Sequence, residues 1–426
     1  MKILAYLGLI LLCTTHSARA VTMADLFATL KKQPVTKLDT LQTRSAELGV
    51  QSVHDRFYPE LTGILGYEGY SSPTNWRPIT PTETAKILAN HTSLPFSDTL
   101  ARFGGQLSMP LFVKELFSLG KQAESLADSS RIKKHLNLLE HQAVLVTADA
   151  HLVHMSSLKK ALDSRKVSLE KTRDDVANQV RSGRLPESEL VRMDEAINLI
   201  DLTFNQTLQQ ESGLQRNIES LTGILLQEPV PLTKVDSLHE GELLALKPLE
   251  KNIEAGEFSV QAAKDKLYPK VVGTALWFQN YGESYNTGED VDGDYGSYGI
   301  SLQMPIFNKP TYTAIEKAKI DLHREKTRFA QTEIELRARA GDLNRTLELL
   351  DHSKELAQKS VDHERELLKV SKVSYSGGRM VQEEYLRNEE KVLSAEASYY
   401  LTEARWWETF ATLAVLYGNN LEELVK

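Results

Sequence analysis

Two similar stretches of this chain decide its fold: QLSMPLF at residues 106–112 and SLQMPIF at residues 301–307. Each stretch carries a proline after alternating apolar and polar residues, and the two prolines are Pro110 and Pro305, an offset of 195. A repeating unit of this length is too long to be one unit of a solenoid protein. We therefore expect two similar halves within one molecule.

The register of the duplication holds over more than a hundred residues. The offset of 195 also relates Gly183 to Gly378. A second pair of motifs, tyrosine followed by proline at residues 58–59 and 268–269, is instead 210 apart. The difference of 15 residues predicts a longer loop in the first copy, between its two motifs.

Composition favours long amphipathic helices over a compact enzyme. The chain has 426 residues, of which 41% are hydrophobic, 25% charged and only 7% aromatic. The formal net charge of −8 gives no support for a nucleic-acid-binding surface. No phosphate loop, zinc signature or nucleophile motif occurs, so we expect no catalytic site, no cofactor and no enzymatic activity.

The first twenty residues are typical of a secretory signal peptide. Lys2 precedes an apolar run over residues 3–12, and Ala18-Arg19-Ala20 forms a cleavage site before Val21. We therefore expect residues 1–20 to be removed on export. The only cysteine, Cys13, lies in this segment, so the mature chain is expected to contain no thiol chemistry.

Period-two alternation predicts one β-hairpin in each half. Residues 101–109 and 297–304 alternate apolar and polar side chains, which is typical of strands with one wet face. Their partners are expected over 61–70 and 271–281, giving hairpins at about 58–109 and 267–304. Strands of about 9–11 residues suit a bilayer crossing, and Arg102 fits a face that lines water. A soluble two-sheet sandwich is the alternative.

The remaining sequence predicts two helical hairpins. Residues at about 111–180 and 306–375 are nearly free of proline and glycine, and each helix of this length would extend about 100 Å at 1.5 Å per residue. Second helices are expected at about 186–222 and 381–418, after turns containing Gly183 and Gly378. A heptad seam supports the last helix, and its members are Leu386, Leu393, Tyr400, Trp407 and Ala414.

These elements define the expected domains. The first structural repeat covers residues 21–226 and consists of a helix, a β-hairpin and two long helices. Residues 227–247, which contain Pro229, Pro231 and Gly241, form a linker or equatorial segment. The second structural repeat covers residues 248–426 with the same order of elements.

The chain resembles the TolC family of outer-membrane efflux proteins over its whole mature length. The motifs that carry the resemblance are YPEL at 58–61, YPKV at 268–271, the two proline-containing stretches quoted above, and Tyr375 with Gly378. Their order, duplication and spacing together are specific.

The resemblance implies a mainly α fold with a transmembrane β-barrel part. Four strands per chain would form a barrel of twelve strands in a homotrimer, continued by a long α-helical coiled-coil barrel. Oligomerisation is also required physically, because an open sheet edge cannot face lipid. The implied location is the bacterial outer membrane, in contact with its lipid and extending into the periplasm.

The implied function is that of a passive exit duct in a tripartite efflux or type I secretion system. Its implied partners are a periplasmic adaptor protein and an inner-membrane pump. The alternative hypothesis from the residues is an exported coiled-coil binding or scaffold protein, such as an adhesin, without transport. Four bilayer-length strands with apolar faces favour the duct.

The resemblance further implies a constriction and an adaptor contact near the helical turns. The expected constriction residues are Glu384, Glu383, Tyr375, Arg379 and Arg387, with Glu187 and Glu189 as weaker candidates. The family's latch arginine falls on Met380, and its second ring aspartate falls on Arg387. In the other interpretation, Glu383 and Glu384 are ordinary helix-start acids stabilised by the helix dipole. The expected adaptor-contact residues are Gly183, Arg184, Leu185, Gly378, Arg379 and Met380.

Two patterns raise the question of metal binding. His151 and His154 are three apart on a predicted helix, and residues 289–294 place acidic groups at alternate positions as a calcium loop does. Incidental surface histidines and an acidic loop between strands are the favoured interpretations, and no metal site is expected.

Overall fold

A computed structural model describes residues 21–426. The predicted signal peptide lies outside the described residues. The elements in chain order are α1 (Met23–Leu30), α2 (Pro34–Asp55), β1 (Glu60–Asn75), α3 (Pro81–Ala89), β2 (Phe96–Val113), α4 (Lys114–Arg181), α5 (Glu187–Thr222), α6 (Lys247–Asp265), β3 (Lys270–Glu283), β4 (Asp290–Gln303), α7 (Lys309–Ser376), α8 (Gln382–Tyr417) and α9 (Leu421–Leu424).

The chain divides into two compact units. Leu41–Lys133 and Leu246–Glu333 form the first, here called the strand unit, and the remaining described residues form the second, the hairpin unit. Helices α4 and α7 contribute residues to each unit.

The strand unit contains one antiparallel sheet in the order β1-β2-β3-β4. Strands β1 and β2 form the first predicted hairpin, with Leu61 opposite Leu107, and β3 and β4 form the second, with Val271 opposite Leu302. Strand β2 pairs with β3 and so joins the hairpins into one sheet. Strands β1 and β4 are its two edges, and each has a row of backbone groups that no strand within residues 21–426 pairs.

Directly opposed residues lie on the same face of a sheet, so the register separates an apolar face from a polar one. The apolar face includes Leu61, Leu65, Tyr67, Leu107, Trp277, Tyr281, Tyr298, Ile300 and Leu302, all of which are exposed. The other face carries Thr62, Glu68, Arg102, Gln106, Asn280, Ser297 and Ser301. The alternation predicted for residues 101–109 and 297–304 is therefore confirmed on β2 and on Ser297–Gln303 of β4, whereas β3 places Leu276 and Phe278 on the same face as Arg102.

The strands are longer than expected. Strand β2 continues beyond Pro110 to Val113, where we had expected the helix to begin at about residue 111. A register shift between Pro110 and Phe112 accommodates the proline, which has no N–H to donate to the ladder. Pairing with β3 extends the strand, and pairing of this kind is not encoded in local propensity.

The longer loop of the first copy contains a helix that we did not predict. Thr80 is the N-cap of α3, and its side chain accepts a hydrogen bond from the Glu83 backbone N–H at 3.2 Å. Pro81 follows at the first helical position. The signal was present, since a threonine, a proline and a glutamate in this spacing are typical of a helix start.

The boundaries of the four long helices reproduce the duplication. Helices α4 and α7 each have 68 residues, and α5 and α8 each have 36. The first and last residues of α7 and α8 are those of α4 and α5 with 195 added to each residue number. No helix within residues 21–426 has the combination of length and apolar character that a membrane span requires.

The core of the hairpin unit is aromatic and lies on α8. Trp406, Trp407 and Phe410 are buried, with ring centroids 4.9 to 5.7 Å apart. Ala404 and Ala411 are buried in the same cluster. Trp407 and Ala414 of the predicted heptad seam are therefore part of the core, where large side chains pack with small ones.

The predicted linker is held by specific contacts within the hairpin unit. The Thr233 backbone exchanges hydrogen bonds with Lys426 at 2.7 and 3.0 Å. The Val230 N–H donates to Asp149 Oδ1 at 2.8 Å. Apart from a short 3-10 turn at Leu244–Leu246, the segment has extended or irregular backbone and is fixed by these bonds.

Candidate functional site

The turn between α4 and α5 is a glycine-terminated helix end. Gly183 has φ 71° and donates its N–H to Val180 O at 2.9 Å, and Arg184 donates to Gln179 O at 2.9 Å. This pattern satisfies the last carbonyls of α4, and the left-handed conformation favours glycine. Pro186 then occupies the N-cap position of α5 without a side-chain hydrogen bond to the helix.

The turn between α7 and α8 repeats this geometry. Gly378 has φ 69° and donates to Tyr375 O at 3.0 Å, and Arg379 donates to Ser374 O at 2.9 Å. Donors and acceptors are the first-repeat residues shifted by 195. The two turns are therefore built in the same way, and their functional differences must come from side chains.

The side chains at the turns are accessible. Arg184 and Arg379 are exposed, while Leu185 and Met380 are half-buried. Each turn thus offers one exposed cation next to one apolar side chain in the same order. The predicted adaptor-contact residues are surface groups in the described chain, which is a requirement for contact with a partner.

The acidic residues at the start of α8 differ in their surroundings. Glu383 is half-buried and forms an ion pair with Arg387, four residues later. Glu384 is exposed, and no described side chain pairs with it. Of the expected constriction residues, the structure therefore brings Glu383 and Arg387 together and leaves Glu384 as a free carboxylate.

Among residues 21–426, no arginine donates a hydrogen bond to the Tyr375 hydroxyl or lies over its ring. Its ring stacks on Tyr385 across the turn, with centroids 5.1 Å apart and an interplanar angle of 18°. Arg379 forms no ion pair with any described side chain. Sequence reasoning missed Tyr385, because its position beside Tyr375 depends on how the two helices pack after the turn.

The first turn carries its own ion pair. Glu189 pairs with Arg192 at 2.8 Å, while Glu187 is exposed. The equivalents of Glu189 and Arg192 in the second repeat are Glu384 and Arg387. The same two positions are thus paired in one repeat and separated in the other.

The polar face of the sheet contains one charged cluster. Arg102 Nη2 lies 3.0 Å from Glu68 Oε2, and its guanidinium carbon lies 5.8 Å from the centroid of the Phe278 ring. Tyr70 donates a hydrogen bond to the same glutamate. Arg102 was expected on this face, whereas Glu68 was missed although the period-two alternation of β1 predicts its position.

The two histidines considered for metal binding have separate partners. His154 is buried, and its Nδ1 lies 3.0 Å from Ala397 O. Burial lowers the pKa of His154 below its usual value. His151 Nε2 instead lies 3.3 Å from Glu408 Oε2. Among the described residues no group of three or more histidine, cysteine or acidic side chains is arranged to hold a metal ion.

The acidic segment at residues 289–294 is largely strand. Asp292 in β4 accepts a hydrogen bond from Gln279 Nε2 at 2.9 Å, and Glu289 accepts one from Ser93 Oγ at 2.8 Å. Extended backbone does not wrap oxygens around one point as a calcium loop does. The segment therefore joins the β3–β4 connection to the first hairpin's loop.

Comparisons with known proteins found one matching protein family and several solved structures with a similar fold. Residues 242–419 match the family model described as outer membrane efflux protein. No curated protein matches the chain.

Several solved structures have a similar fold. The CmeC outer membrane channel of Campylobacter jejuni has a TM-score of 0.70 and 15% identity, over 93% of this chain and 84% of that one. The outer membrane protein VceC of Vibrio cholerae has a TM-score of 0.70 and 12% identity, over 93% and 96%. The open state of the MtrE outer membrane channel of Neisseria gonorrhoeae has a TM-score of 0.66 and 14% identity, over 94% and 90%.

These comparisons confirm two predictions. The fold is mainly helical with four antiparallel strands in the described residues, as in outer membrane channels. The resemblance to outer-membrane efflux proteins is confirmed by the family model over residues 242–419. The expected constriction and adaptor-contact residues are not tested by these comparisons and remain predictions.

Proposed function

We propose that this chain, whose residues 242–419 belong to the outer membrane efflux protein family, is the passive exit duct of a tripartite efflux or type I secretion system. Three copies form the duct, and it carries solutes or an exported polypeptide without catalysing a reaction. Substrate choice lies with the pump, because the polar face of the sheet carries side chains of mixed polarity.

The observation that supports the proposal best is the sheet with its two open edges. Exposed Leu61, Tyr298 and Ile300 suit contact with lipid, while Arg102 and Glu68 on the opposite face suit contact with water. Unpaired strand edges cannot face hydrocarbon. All neighbouring strands within the sheet are antiparallel, so β4 of one copy and β1 of the next can pair in the same sense.

The proposal includes the contacts of the duct. The turns at Gly183 and Gly378 dock to a periplasmic adaptor through Arg184, Leu185, Arg379 and Met380. Their accessibility and their equal geometry support docking of similar adaptor surfaces at each turn. Glu384, with Glu383, Tyr375 and Arg387, lines the periplasmic constriction.

Extraction from membranes distinguishes an outer-membrane duct from an exported scaffold protein. Sodium carbonate should leave the chain in the outer-membrane fraction, and only detergent should release it. Release by carbonate would contradict the duct and favour the exported scaffold protein.

Photo-cross-linking tests the adaptor contact. A photoreactive residue in place of Leu185 or Met380 should give an adduct with the periplasmic adaptor. The same residue at Leu199, which is exposed within α5, is the control and should give none. Equal adducts at all three positions would remove the turns as the docking site.

A further inference from the structure

The strand unit contains a cavity where the first hairpin meets its helices. The cavity has a volume of about 610 Å³ and lies between the end of α2 and the start of α4, beside Met109 of β2. We call it the α2–α4 cavity. Its volume falls within the range of about 300–1,000 Å³ that is usual for small-molecule sites.

The floor of the α2–α4 cavity is apolar. Leu116 is buried, and Val53 and Phe57 are half-buried. The Phe57 ring lies 5.1 Å from the Phe117 ring, measured between centroids. Gly120 shares a face of α4 with Leu116, four residues earlier, and a side chain built on it meets nothing within 4 Å. The absence of a side chain at Gly120 therefore adds to the open space.

The rim of the cavity is polar. His54, Lys121 and Glu124 line it and are exposed, and none of them forms an ion pair with a described side chain. Lys121 Nζ lies 5.6 Å from the centroid of the Phe258 ring. A lysine can lay its aliphatic stem on apolar surface while its ammonium group stays at the edge. The rim therefore offers a cation and an anion to a ligand whose body is apolar.

The cavity opens on the apolar side of the sheet. Met109 follows Leu107 by two residues on β2, so both side chains lie on the apolar face. A second cavity, of about 620 Å³, is lined by Glu115, Lys266 and Gln303, and Gln303 belongs to the polar face. In the proposed membrane setting the α2–α4 cavity faces lipid, and the second cavity faces water.

The second repeat fills the position of Gly120. With the offset of 195 its equivalent is Ile315, which is 7% exposed. The equivalent of Leu116 is Thr311, so the floor is also less apolar there. The open floor is thus a property of the first repeat and not of the duplicated fold.

The rim charges differ between the repeats as well. The equivalents of Lys121 and Glu124 are Glu316 and Lys319, the same two charges in the opposite order. Lys319 pairs with Glu316 at 2.6 Å. Glutamate before lysine is the more favourable order on a helix, and the first repeat has the reverse. Lys121 and Glu124 are therefore available to an external ligand.

We propose that the α2–α4 cavity binds one acyl chain of a membrane phospholipid, with the lipid phosphate at Lys121. The acyl chain begins beside Gly120, crosses the floor and reaches the apolar face of the sheet at Met109. His54 lies beside the phosphate, and Glu124 accepts the ammonium group of a headgroup such as phosphoethanolamine.

Continuity with the apolar face selects a lipid as the occupant. A transported solute would travel along the polar face, on the other side of the sheet. Phe57, Tyr58 and Phe117 line the cavity, and aromatic side chains are typical of the level at which a membrane meets water. The inference rests on the proposed function, which places the apolar face in lipid, and it adds a specific lipid site.

Photolabelling with a lipid tests the site. The oligomer of the full chain, in nanodiscs, is irradiated with a phosphatidylethanolamine that carries a diazirine in one acyl chain. Peptide mass spectrometry should find adducts on residues 116–124 and, as an internal reference, on the apolar face of the sheet. The equivalent residues 311–319 should carry far fewer adducts, because Ile315 occupies the space there.

A matched pair of isoleucine substitutions separates filling of the cavity from a general effect on helices. Gly120→Ile introduces the residue of the second repeat and should remove the adducts on residues 116–124. Gly49→Ile is the control and should keep them. Gly49 is exposed on α2, does not line the cavity and has nothing within 4 Å of an added side chain.

A neutral lipid tests recognition of the phosphate. A diacylglycerol with the same photoreactive chain should label residues 116–124 less than the phosphatidylethanolamine does. Lys121→Gln should lower the phosphatidylethanolamine labelling to the diacylglycerol level. Lys264→Gln, which removes an exposed cation at the equivalent of His54, should leave the difference unchanged. Equal labelling by both lipids in the unaltered chain would overturn the role of Lys121.

The remaining outcomes separate this site from the duct. Adducts confined to the sheet, in an oligomer that conducts ions, would overturn the lipid site and leave the duct standing. Adducts on residues 116–124 that persist in Gly120→Ile would overturn the cavity as their source. A photoreactive residue at Phe117 that cross-links to a second copy instead of lipid would assign the cavity to contacts between copies. Absence of adducts on the sheet as well would contradict the membrane setting, and the lipid site with it.

Discussion

Arg387 pairs with Glu383, four residues earlier on α8, and not with Glu384. In the first repeat the equivalent arginine, Arg192, pairs with Glu189, the equivalent of Glu384. The position equivalent to Glu383 is Ser188, which offers no carboxylate. The additional acid in the second repeat therefore takes the arginine and leaves Glu384 unpaired.

We expect Glu384→Gln to lower cation preference. A ring of free carboxylates in a narrow pore attracts cations, and removal of one charge per copy weakens that potential. Single-channel reversal potentials in a salt gradient should shift towards non-selectivity. Glu189→Gln is the matched control and should have a smaller effect, because Arg192 already neutralises Glu189. Unchanged selectivity of Glu384→Gln would remove this residue from the constriction.

Burial of Asp149 makes the hairpin unit sensitive to pH. Its Oδ1 accepts the Val230 N–H, but its Oδ2 is buried without a hydrogen-bond partner in the described part of the chain, and desolvation raises the pKa of Asp149 from 3.8 to about 7. The folded state therefore binds the proton more tightly than the unfolded state. Stability from this group is present at pH 4, falls as pH rises towards 7, and stays low above it.

We expect Asp149→Asn to stabilise the chain above pH 7 and to have little effect near pH 4. The equivalent residue of the second repeat is Asn344, whose Nδ2 donates to Tyr417 at 2.9 Å, so an amide is already used at this position. The gain should be on the order of a few kcal/mol, by the conversion of a pKa shift into free energy. Melting temperatures measured from pH 4 to 8 test it. A gain independent of pH would show that ionisation of Asp149 is not the cause.

Substitution of alanine for Gly378 in the turn after α7 and for Gly341 within α7 should change the stability of the fold in opposite directions. Gly378→Ala forces a side chain into the left-handed region, at a cost of about 1–2 kcal/mol. Gly341→Ala lies within the helix with nothing within 4 Å, and should stabilise by about 0.5–1 kcal/mol. Thermal unfolding followed by circular dichroism tests the pair. Destabilisation of equal size by each variant would contradict the turn geometry.

Valine at two glycines of β4 separates assembly from folding. Gly299→Val should lower the yield of oligomer, because the equivalent Gly104 has no room for a side chain beside its partner strand. Gly293→Val should be tolerated, since its equivalent is Asp98 and nothing lies within 4 Å of it. Native gels measure the oligomer fraction. Equal yields from the two variants would argue against close strand pairing at Gly299.

The sequence predicted those elements best whose conformation depends on residues close together in the chain. Alternation predicted both hairpins and the face of Arg102, and Gly183 and Gly378 predicted the turns. Helix α3 was missed although Thr80, Pro81 and Glu83 signalled it. The end of β2 at Val113 was not predictable locally, because pairing with β3 creates it.

The candidate site was less predictable from the sequence. Whether Arg387 pairs with Glu383 or Glu384 depends on side-chain geometry within one turn of α8, and helical spacing allows either. Stacking of Tyr375 on Tyr385 requires the two helices to be placed first. The burial of Asp149 similarly depends on the path of the linker past Val230, which composition does not specify.

The most direct measurement of the central claim is ionic current through a planar lipid bilayer containing the purified chain. The account predicts stepwise currents whose cation preference falls in the Glu384→Gln variant. Purified oligomer that inserts into the bilayer but passes no current under any condition would contradict the claim that this protein is a duct.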